Sequence, residues 1–243
     1  MFFLLALVIL AYSFIQFFEL LALLGRFSGV ESNSVLIGYS IQQSVYMITR
    51  FFMIALLPVL GYLIDSGVSL YDFELMAHLS LLFSSVLSMV VLLFFNRVVA
   101  YYLEVIKRYR AGFGFIRSYF FLKGGQVVDC QPKIKDVFVD RRVFLVFCQS
   151  SFVFLVYCVG IFLSFYTALL FSEYRATISQ MSGIVNALGA VVLTLYIEPK
   201  ISKSIDTKSE GLASSYIYAL FLGRCFVLAF SGQLLLFFVF WLV

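Results

Sequence analysis

Six apolar runs follow one another along the chain, and each is long enough to cross a membrane. About 20 residues of α-helix span the roughly 30 Å hydrocarbon core of a bilayer. The runs cover residues 1–24, 35–64, 75–95, 143–171, 176–197 and 212–243. A soluble domain could not bury a chain that is 63% hydrophobic and only 12% charged. The sequence therefore predicts an all-α polytopic membrane protein with six transmembrane helices.

The basic residues of the connections predict the orientation of these helices. Connections 25–34, 96–142 and 198–211 hold 1, 10 and 3 Lys or Arg residues, whereas 65–74 holds none and 172–175 holds one. Connections rich in Lys and Arg stay on the cytoplasmic side of a membrane. We therefore expect the three richer connections to face the cytoplasm and both termini to lie outside.

The long connection 96–142 mixes basic and aromatic residues, a pattern that also occurs in nucleic-acid-binding proteins. Here the segment adjoins a membrane span, and aromatic rings suit the headgroup region. Its Arg97, Lys107, Arg108 and Arg110 would be attracted to anionic lipids. We therefore predict anionic membrane lipids, and no nucleic acid, as partners of this segment.

Motifs for catalysis or for cofactor binding are scarce. The sequence contains no Walker A loop, no G-x-S-x-G and no H-E-x-x-H motif. Its one histidine, His78, cannot by itself form a metal cluster, and its four cysteines have no C-x-x-C spacing. We therefore predict no cofactor, no metal and no enzymatic activity, although an enzyme that uses buried carboxylates is an alternative.

Two arginines, Arg50 and Arg224, lie inside predicted spans. A mid-membrane arginine costs about 2.5–3.5 kcal/mol on insertion scales, so both should face the bundle interior or a wet cavity. One interpretation is an ion pair that locks helices together, with Glu19 as the partner. The other is a binding site, which the stripe of Gln43, Tyr46 and Arg50 on one helical face, with Gln42 beside it, favours.

Small and polar residues recur at steps of three or four in the fifth run: Ser179, Ser182, Gly183, Asn186 and Gly189. Small residues let helix backbones approach closely, so this stripe predicts helix packing. Asn186 could also line a cavity.

A repeated spacing suggests that the chain has two related halves. The segments 58–65 and 199–206 each begin with proline and close on Ile-Asp, at the ends of the second and fifth runs. With three spans in each half, the halves must have opposite orientations, an architecture found in many transporters. We therefore expect a first three-helix half at 1–95, the basic connection at 96–142 and a second three-helix half at 143–243.

Three segments carry a resemblance to a known family. They are "FFELLALLGRFSGV", "MITRFFMIALLPVLGYLID" and "YRATISQMSGIVNALGAVVLTLYIEPKISKSID". They resemble the Amj family, the alternative lipid II flippases of bacteria, and the similarity covers most of the chain, including the six-span count. The chain departs from the family pattern at Glu31, at "NA" and "EP" in the second half, and in a region near residues 223–233.

The resemblance implies a cargo and a set of site residues. The cargo would be lipid II, the undecaprenyl-pyrophosphate-linked precursor of peptidoglycan. The protein would be a multi-pass protein of the bacterial inner (cytoplasmic) membrane and would serve cell-wall synthesis and cell shape. The positions that match the family are Glu19, Arg26, Arg50, Pro58, Asp65, Asn186, Pro199, Asp206 and Arg224.

Physical reasoning assigns roles to some of these positions. Arginine guanidinium groups fit phosphate oxygens, so Arg50 and Arg224 are the predicted pyrophosphate clamp. Gln42, Gln43 and Asn186 are the predicted partners of sugar hydroxyls. Pro58 and Pro199 would limit helix continuity while the halves rock between two orientations.

Other functions stay open at this point. The chain could move another lipid-linked glycan, or it could be a non-transporting scaffold subunit in which the arginines only hold helices together. A membrane enzyme that acts on a lipid-linked phosphate is a third possibility. Neutralising Arg50 should weaken a scaffold only through stability, and an enzyme should turn over its lipid in detergent.

The orientation can be tested with engineered cysteines in a background without the native ones. An impermeant thiol reagent should label cysteines at Ser66 and Ser172 in intact cells, because both connections are poor in basic residues. Cysteines at Lys133 and Ser202 should react only after the membrane is opened. The reverse labelling pattern would overturn the orientation.

Overall fold

The computed structural model of the protein describes residues 1–120, 131–207 and 211–242. These ranges form α-helices with short 3-10 and π-helical segments, and they contain no strand. Six helical stretches are long and apolar enough to cross a membrane. The prediction of an all-α, six-span membrane protein is therefore confirmed.

The first three spans are single continuous helices, and short helices follow them in the long connection. The spans are α1 (Phe2–Glu31), α2 (Val35–Asp65) and α3 (Leu70–Leu93). The connection contains α4 (Phe95–Arg110), α5 (Arg117–Phe120) and α6 (Ile134–Val139). Residues 121–130 of the predicted connection 96–142 lie outside the described residues.

The last two spans are interrupted by π-helical turns, whereas the fourth, α7 (Arg141–Leu170), is continuous. A 3-10 turn leads into the fifth span, which consists of α8 (Arg175–Val192), a π segment (Leu193–Ile197) and α9 (Glu198–Asp206). The sixth consists of α10 (Leu212–Phe226), a π segment (Val227–Ser231) and α11 (Gly232–Leu242).

Several helix ends differ from the sequence prediction, and two of the differences bring a charged residue of the site described below into a span. The helix α1 continues to Glu31, so most of the predicted connection 25–34 is helical and Arg26 lies within the first span. The fifth span continues past Ile197 through Glu198. A helix satisfies its own backbone polar groups, so it can extend through charged residues whose side chains find partners.

The two sets of three spans pack in the same way. In the first set α1 contacts both α2 and α3, and in the second set α7 contacts both α8 and α10. The contact of α1 with α10 joins the sets. The inverted relation between halves 1–95 and 143–243 stays a prediction.

The helix α4 lies along the end of α1 and is amphipathic. It buries Val99, Val105 and Ile106 and exposes Arg97 and Arg110. A helix with an apolar face and basic residues on the other face is typical of the membrane interface. This arrangement agrees with the predicted attraction to anionic lipids, which stays a prediction.

The α1–α2 hairpin is closed by glycines. A Cβ added at Gly29 would meet the Cα of Gly38 at 2.4 Å, and one at Gly25 would meet a methyl carbon of Ile41 at 2.5 Å. Backbones this close leave no room for a side chain, which is the role of small residues between membrane helices. The hairpin therefore fixes α2 against α1 at the end where both line the polar cavity described below.

The predicted packing stripe of the fifth span is only partly used. Ser182 and Gly189 are buried in α8, and a Cβ at Gly189 would lie 3.1 Å from the ring of Tyr157. Gly183 has nothing within 4 Å of an added Cβ. The packing interpretation is therefore confirmed for two positions and wrong for Gly183.

The glycine contact can be tested by stability. We expect Gly29→Ala to lower the melting temperature of the purified protein in detergent, because the new methyl group must push α1 and α2 apart. Overpacking of this kind typically costs about 1–3 kcal/mol. Gly61→Ala is the matched control, since a Cβ at Gly61 has nothing within 4 Å. Equal melting temperatures of the two variants would show that the close contact between Gly29 and Gly38 does not contribute to stability.

Candidate functional site

One face of α1 carries the polar residues that organise the site. Gln16, Glu19, Leu23 and Arg26 follow at helical steps of three or four, so their side chains project from one side. Glu19 and Arg26 are about 10 Å apart along the axis, at 1.5 Å per residue. The face therefore offers charged groups at two depths of the membrane.

At the deeper level Glu19 forms an ion pair with Arg224 of α10. The Nε and Nη2 groups of Arg224 also donate to Oε1 of Gln16 at 3.1 and 2.9 Å. The guanidinium lies 4.7 Å from the ring centroid of Phe154 on α7. Arg224 is buried, so its charge is neutralised and its donors are used by the protein itself.

A second ion pair joins the same face of α1 to the fifth span. Arg26 donates to both carboxylate oxygens of Glu198 at 2.8 Å, in bidentate geometry. The Arg26 side chain is 6% exposed, whereas that of Glu198 is 32% exposed. Glu198 is the first residue of α9, directly after the π segment Leu193–Ile197. The pair therefore links the first span to the point where the fifth span changes its helical form.

Pro199 supplies a physical reason for that change of form. Proline has no backbone N–H, so residue 199 cannot donate to the carbonyl of Leu195 as an α-helical residue would. The π segment ends two residues before Pro199. By contrast, Pro58 lies inside the helix α2, which has no π segment, and its predicted conformational role stays a prediction.

A polar cavity of about 570 Å³ lies beside the Arg26–Glu198 pair. Its polar lining comes from α1, α2 and the end of the fifth span: Arg26, Tyr39, Gln42, Gln43, Tyr46, Thr194, Glu198, Ser202 and Asp206. These residues lie toward the span ends that are predicted to face the cytoplasm. The cavity thus holds many hydrogen-bonding groups next to membrane-spanning helices.

Gln42 has an unused acceptor at the wall of this cavity. The residue is 5% exposed, and its Nε2 lies 3.5 Å from the hydroxyl of Tyr46. Its buried Oε1 has no hydrogen-bond partner among the described residues. A buried polar atom without a partner is costly, so a ligand hydroxyl at this position would stabilise the site.

A smaller pocket of about 40 Å³ lies around the Glu19–Arg224 pair. Met53, Tyr157 and Asn186 also line it. The buried Oδ1 of Asn186 has no hydrogen-bond partner among the residues that the structure describes. This pocket therefore combines a paired cation with an unpaired acceptor near the middle of the first and fifth spans.

The sequence prediction for Arg50 needs a correction. The residue is exposed, so it does not face the interior of the helix bundle. It forms no ion pair or hydrogen bond with the described part of the chain. It lies on the face of α2 that carries Gln43 and Tyr46, seven and four residues before it. Arg50 therefore continues the polar stripe of the cavity on an open side of the bundle.

The predicted site residues divide into groups in the structure. Glu19, Asn186 and Arg224 come together at the small pocket, and Arg26, Gln42, Gln43 and Asp206 line the polar cavity. Asp65 lies exposed at the far end of α2, away from both groups. The predicted ion pair between a membrane-embedded arginine and Glu19 is formed by Arg224 and not by Arg50.

Two members of the site were missed by sequence reasoning. Gln16 precedes Glu19 by three residues in an otherwise apolar run, the same kind of signal that singled out the stripe of Arg50. Glu198 was assigned to a connection because it begins a charged segment. Its pairing with Arg26 spans 172 residues and leaves no local pattern in the sequence.

Comparison with known proteins gives one family and one curated relative. The family model described as "Alternate to MurJ", Amj, matches residues 12–237. The protein named lipid II flippase Amj from Bacillus subtilis (strain 168) is 28% identical over 80 residues, which are 33% of this chain and 28% of that relative. The matched segment thus spans little more than a quarter of the relative's length.

No solved structure matches this chain. The family match, however, extends from the first span to the sixth and includes every residue of both ion pairs. It covers far more than half of the sequence. This chain therefore belongs to the Amj family, alternate to MurJ.

Proposed function

We propose that this protein is a flippase that moves a polyprenyl-pyrophosphate-linked cell-wall precursor, lipid II, across the bacterial cytoplasmic membrane. The observation that carries the proposal is the polar cavity of about 570 Å³ between membrane-spanning helices, in a chain of this family. The curated relative bears the name lipid II flippase. The proposed activity is transport without chemical change of the cargo.

The chemistry of such a cargo sets two requirements. Its polyprenyl tail can stay in the bilayer, but its sugars and pyrophosphate must cross hydrocarbon that excludes polar groups. The amide and hydroxyl groups of Gln42, Gln43 and Tyr46 would replace water around the sugars. Asn186 offers a further acceptor deeper in the membrane.

The pyrophosphate requires a cation, and the structure distinguishes the three candidates. Arg26 and Arg224 are neutralised by Glu198 and Glu19. Arg50 has no such partner among the described residues, and it is exposed. A free guanidinium can bind two phosphate oxygens at once, so we assign Arg50 as the first phosphate contact.

Arg224 has a different proposed role because Glu19 holds it. Removing one partner from a buried ion pair costs about 3–5 kcal/mol, so the pair stays closed while nothing replaces the carboxylate. The pyrophosphate is the anion that could take the place of Glu19 on Arg224. In this proposal the deeper ion pair is a barrier that opens when the cargo's phosphate reaches it.

Both ion pairs connect the first half of the chain to the second. Arg26 and Glu19 belong to α1, whereas Glu198 and Arg224 belong to the fifth and sixth spans. Rocking of the halves 1–95 and 143–243 would therefore have to break or remake these pairs. The π segment before Pro199 is the proposed point of bending in the fifth span.

Substitution of Arg50 tests the proposed function. We expect Arg50→Gln to abolish flipping and Arg50→Lys to retain part of it. Lysine keeps the positive charge, but it cannot form the bidentate contact that a guanidinium makes with two phosphate oxygens. Protein abundance should stay normal, since removal of a membrane-embedded charge lowers the insertion cost. The measurement is rescue of a bacterium depleted of its lipid II flippases, with abundance determined in the same cells.

Arg97→Gln is the matched control for Arg50, because Arg97 is an exposed arginine of α4 that lines neither polar cavity. It should rescue as well as the unchanged protein. Normal abundance with normal flipping for Arg50→Gln would refute the phosphate contact. Loss of the protein from the membrane would instead favour the scaffold function.

A double-mutant cycle tests the deeper ion pair. We expect Arg224→Gln to destabilise the protein by about 3–5 kcal/mol, because it leaves Glu19 with a charge and no cation. The double variant Glu19→Gln/Arg224→Gln should lose less stability than the sum of the two single variants. Thermal melting of the purified variants in detergent measures both effects. Strictly additive losses would contradict a coupled pair.

A further inference from the structure

A third cavity, of about 250 Å³, lies away from the polar ones. It is formed by α3, α6, α7, α10 and the second π segment, and it shares no lining residue with the polar cavity. Most of its lining is apolar: Met89, Leu92, Ile134, Phe138, Phe147, Leu222, Cys225, Phe226 and Ala229. The hydroxyl of Ser88 also lies there and donates to the carbonyl of Ser85 at 2.8 Å. The cavity therefore favours a hydrocarbon ligand.

Aromatic rings form one wall of this apolar cavity. The ring centroids of Phe138 and Phe147 are 5.6 Å apart, and those of Phe147 and Phe226 are 5.8 Å apart. Ile134 and Phe138 are 49% and 54% exposed, so the wall is open to the surroundings of the bundle. Since α6 precedes the fourth span in the basic connection, the opening lies at the predicted cytoplasmic leaflet.

Basic residues lie in and next to the short helix α6 in the sequence. Lys133 and Lys135 are the neighbours of Ile134, and Arg141 is the first residue of α7. All three basic residues are exposed. Arg142 is paired with Asp140 at 3.2 Å, so its charge is already balanced. Asp136 offsets one of the three remaining cations, and the opening keeps an excess of positive charge.

We propose that this cavity binds an acyl chain of an anionic phospholipid whose headgroup phosphate contacts Lys133, Lys135 and Arg141. The apolar lining fits a hydrocarbon chain, and the basic residues fit an anionic headgroup at the membrane surface. The polyprenyl tail of the cargo is a poorer occupant of this apolar cavity. The cargo's polar groups are proposed to bind at the polar cavity, and α3 and α6 contribute no residue to its lining. The site makes the packing of α6 against α7 dependent on the anionic lipid content of the membrane.

The chain's single tryptophan makes a fluorescence test possible. With Trp241→Phe as the background, Phe138→Trp places a tryptophan at the opening of the apolar cavity. The full-length protein is reconstituted with phosphatidylcholine, and either brominated phosphatidylglycerol or brominated phosphatidylcholine is added. Bromine quenches a tryptophan that it contacts, so the assay reports which lipid occupies the site.

We expect brominated phosphatidylglycerol to quench Phe138→Trp at least threefold more effectively than brominated phosphatidylcholine. Phe152→Trp is the control, since Phe152 is 62% exposed within α7, does not line the cavity and lies about 16 Å along the helix from Arg141. It should show no preference between the two lipids. Equal quenching of Phe138→Trp by both lipids would overturn the proposal.

Two further measurements test the contributions of the basic residues and of the apolar cavity to lipid binding independently. Replacing Lys133, Lys135 and Arg141 with glutamine should remove the preference for phosphatidylglycerol, and these surface changes leave the core intact. Ala229→Phe should reduce quenching by filling the cavity. If Phe138→Trp fails to fold, Ile134→Trp reports on the same opening.

A competition experiment distinguishes the phospholipid from the cargo's tail. Unbrominated phosphatidylglycerol should reverse the quenching more effectively than an equal amount of a long-chain polyprenyl phosphate. Stronger reversal by the polyprenyl phosphate would assign the cavity to the cargo and would overturn the phospholipid site. This test does not use flipping, so its result is independent of the proposed function.

Discussion

The ion pair between Glu19 and Arg224 is the interaction on which the arrangement of helices depends. A lone charge deep in an apolar bundle is strongly unfavourable, so each partner requires the other. This requirement brings the first span against the sixth, although 208 residues separate Gln16 from Arg224 in the same cluster. The contact of α1 with α10 then joins the two sets of three spans into one bundle.

The second ion pair lies about two turns further along α1 and has a different environment. Glu198 is partly exposed at the polar cavity, whereas Arg224 is buried within the bundle. Water and a ligand can therefore compete for the outer pair more easily than for the inner one. In the proposed transport cycle the cargo would therefore meet the more exposed pair first and the buried pair afterwards.

The fold class was predictable because the hydrophobic effect acts on whole runs of residues, and six long apolar runs have few other solutions. Individual pairings were not predictable. Arg50 and Arg224 have similar sequence surroundings, and only the position of Glu19 in three dimensions decides which of them is neutralised. The role of Glu198 was hidden for the same reason, since Arg26, its partner, lies in a distant part of the chain.

The contrast among the three arginines carries the functional interpretation further. Arg26 and Arg224 contribute to the structure through carboxylates that the chain supplies, and replacing both members of such a pair by apolar residues can be neutral for stability. Arg50 forms no ion pair with a carboxylate of the described residues. Its insertion cost of about 2.5–3.5 kcal/mol is therefore not offset by an ion pair within the described part of the chain. It lies on the same face of α2 as two residues that line the polar cavity. The proposed phosphate contact would supply the missing anion from outside the protein, since a guanidinium can bind two oxygens of a pyrophosphate at once.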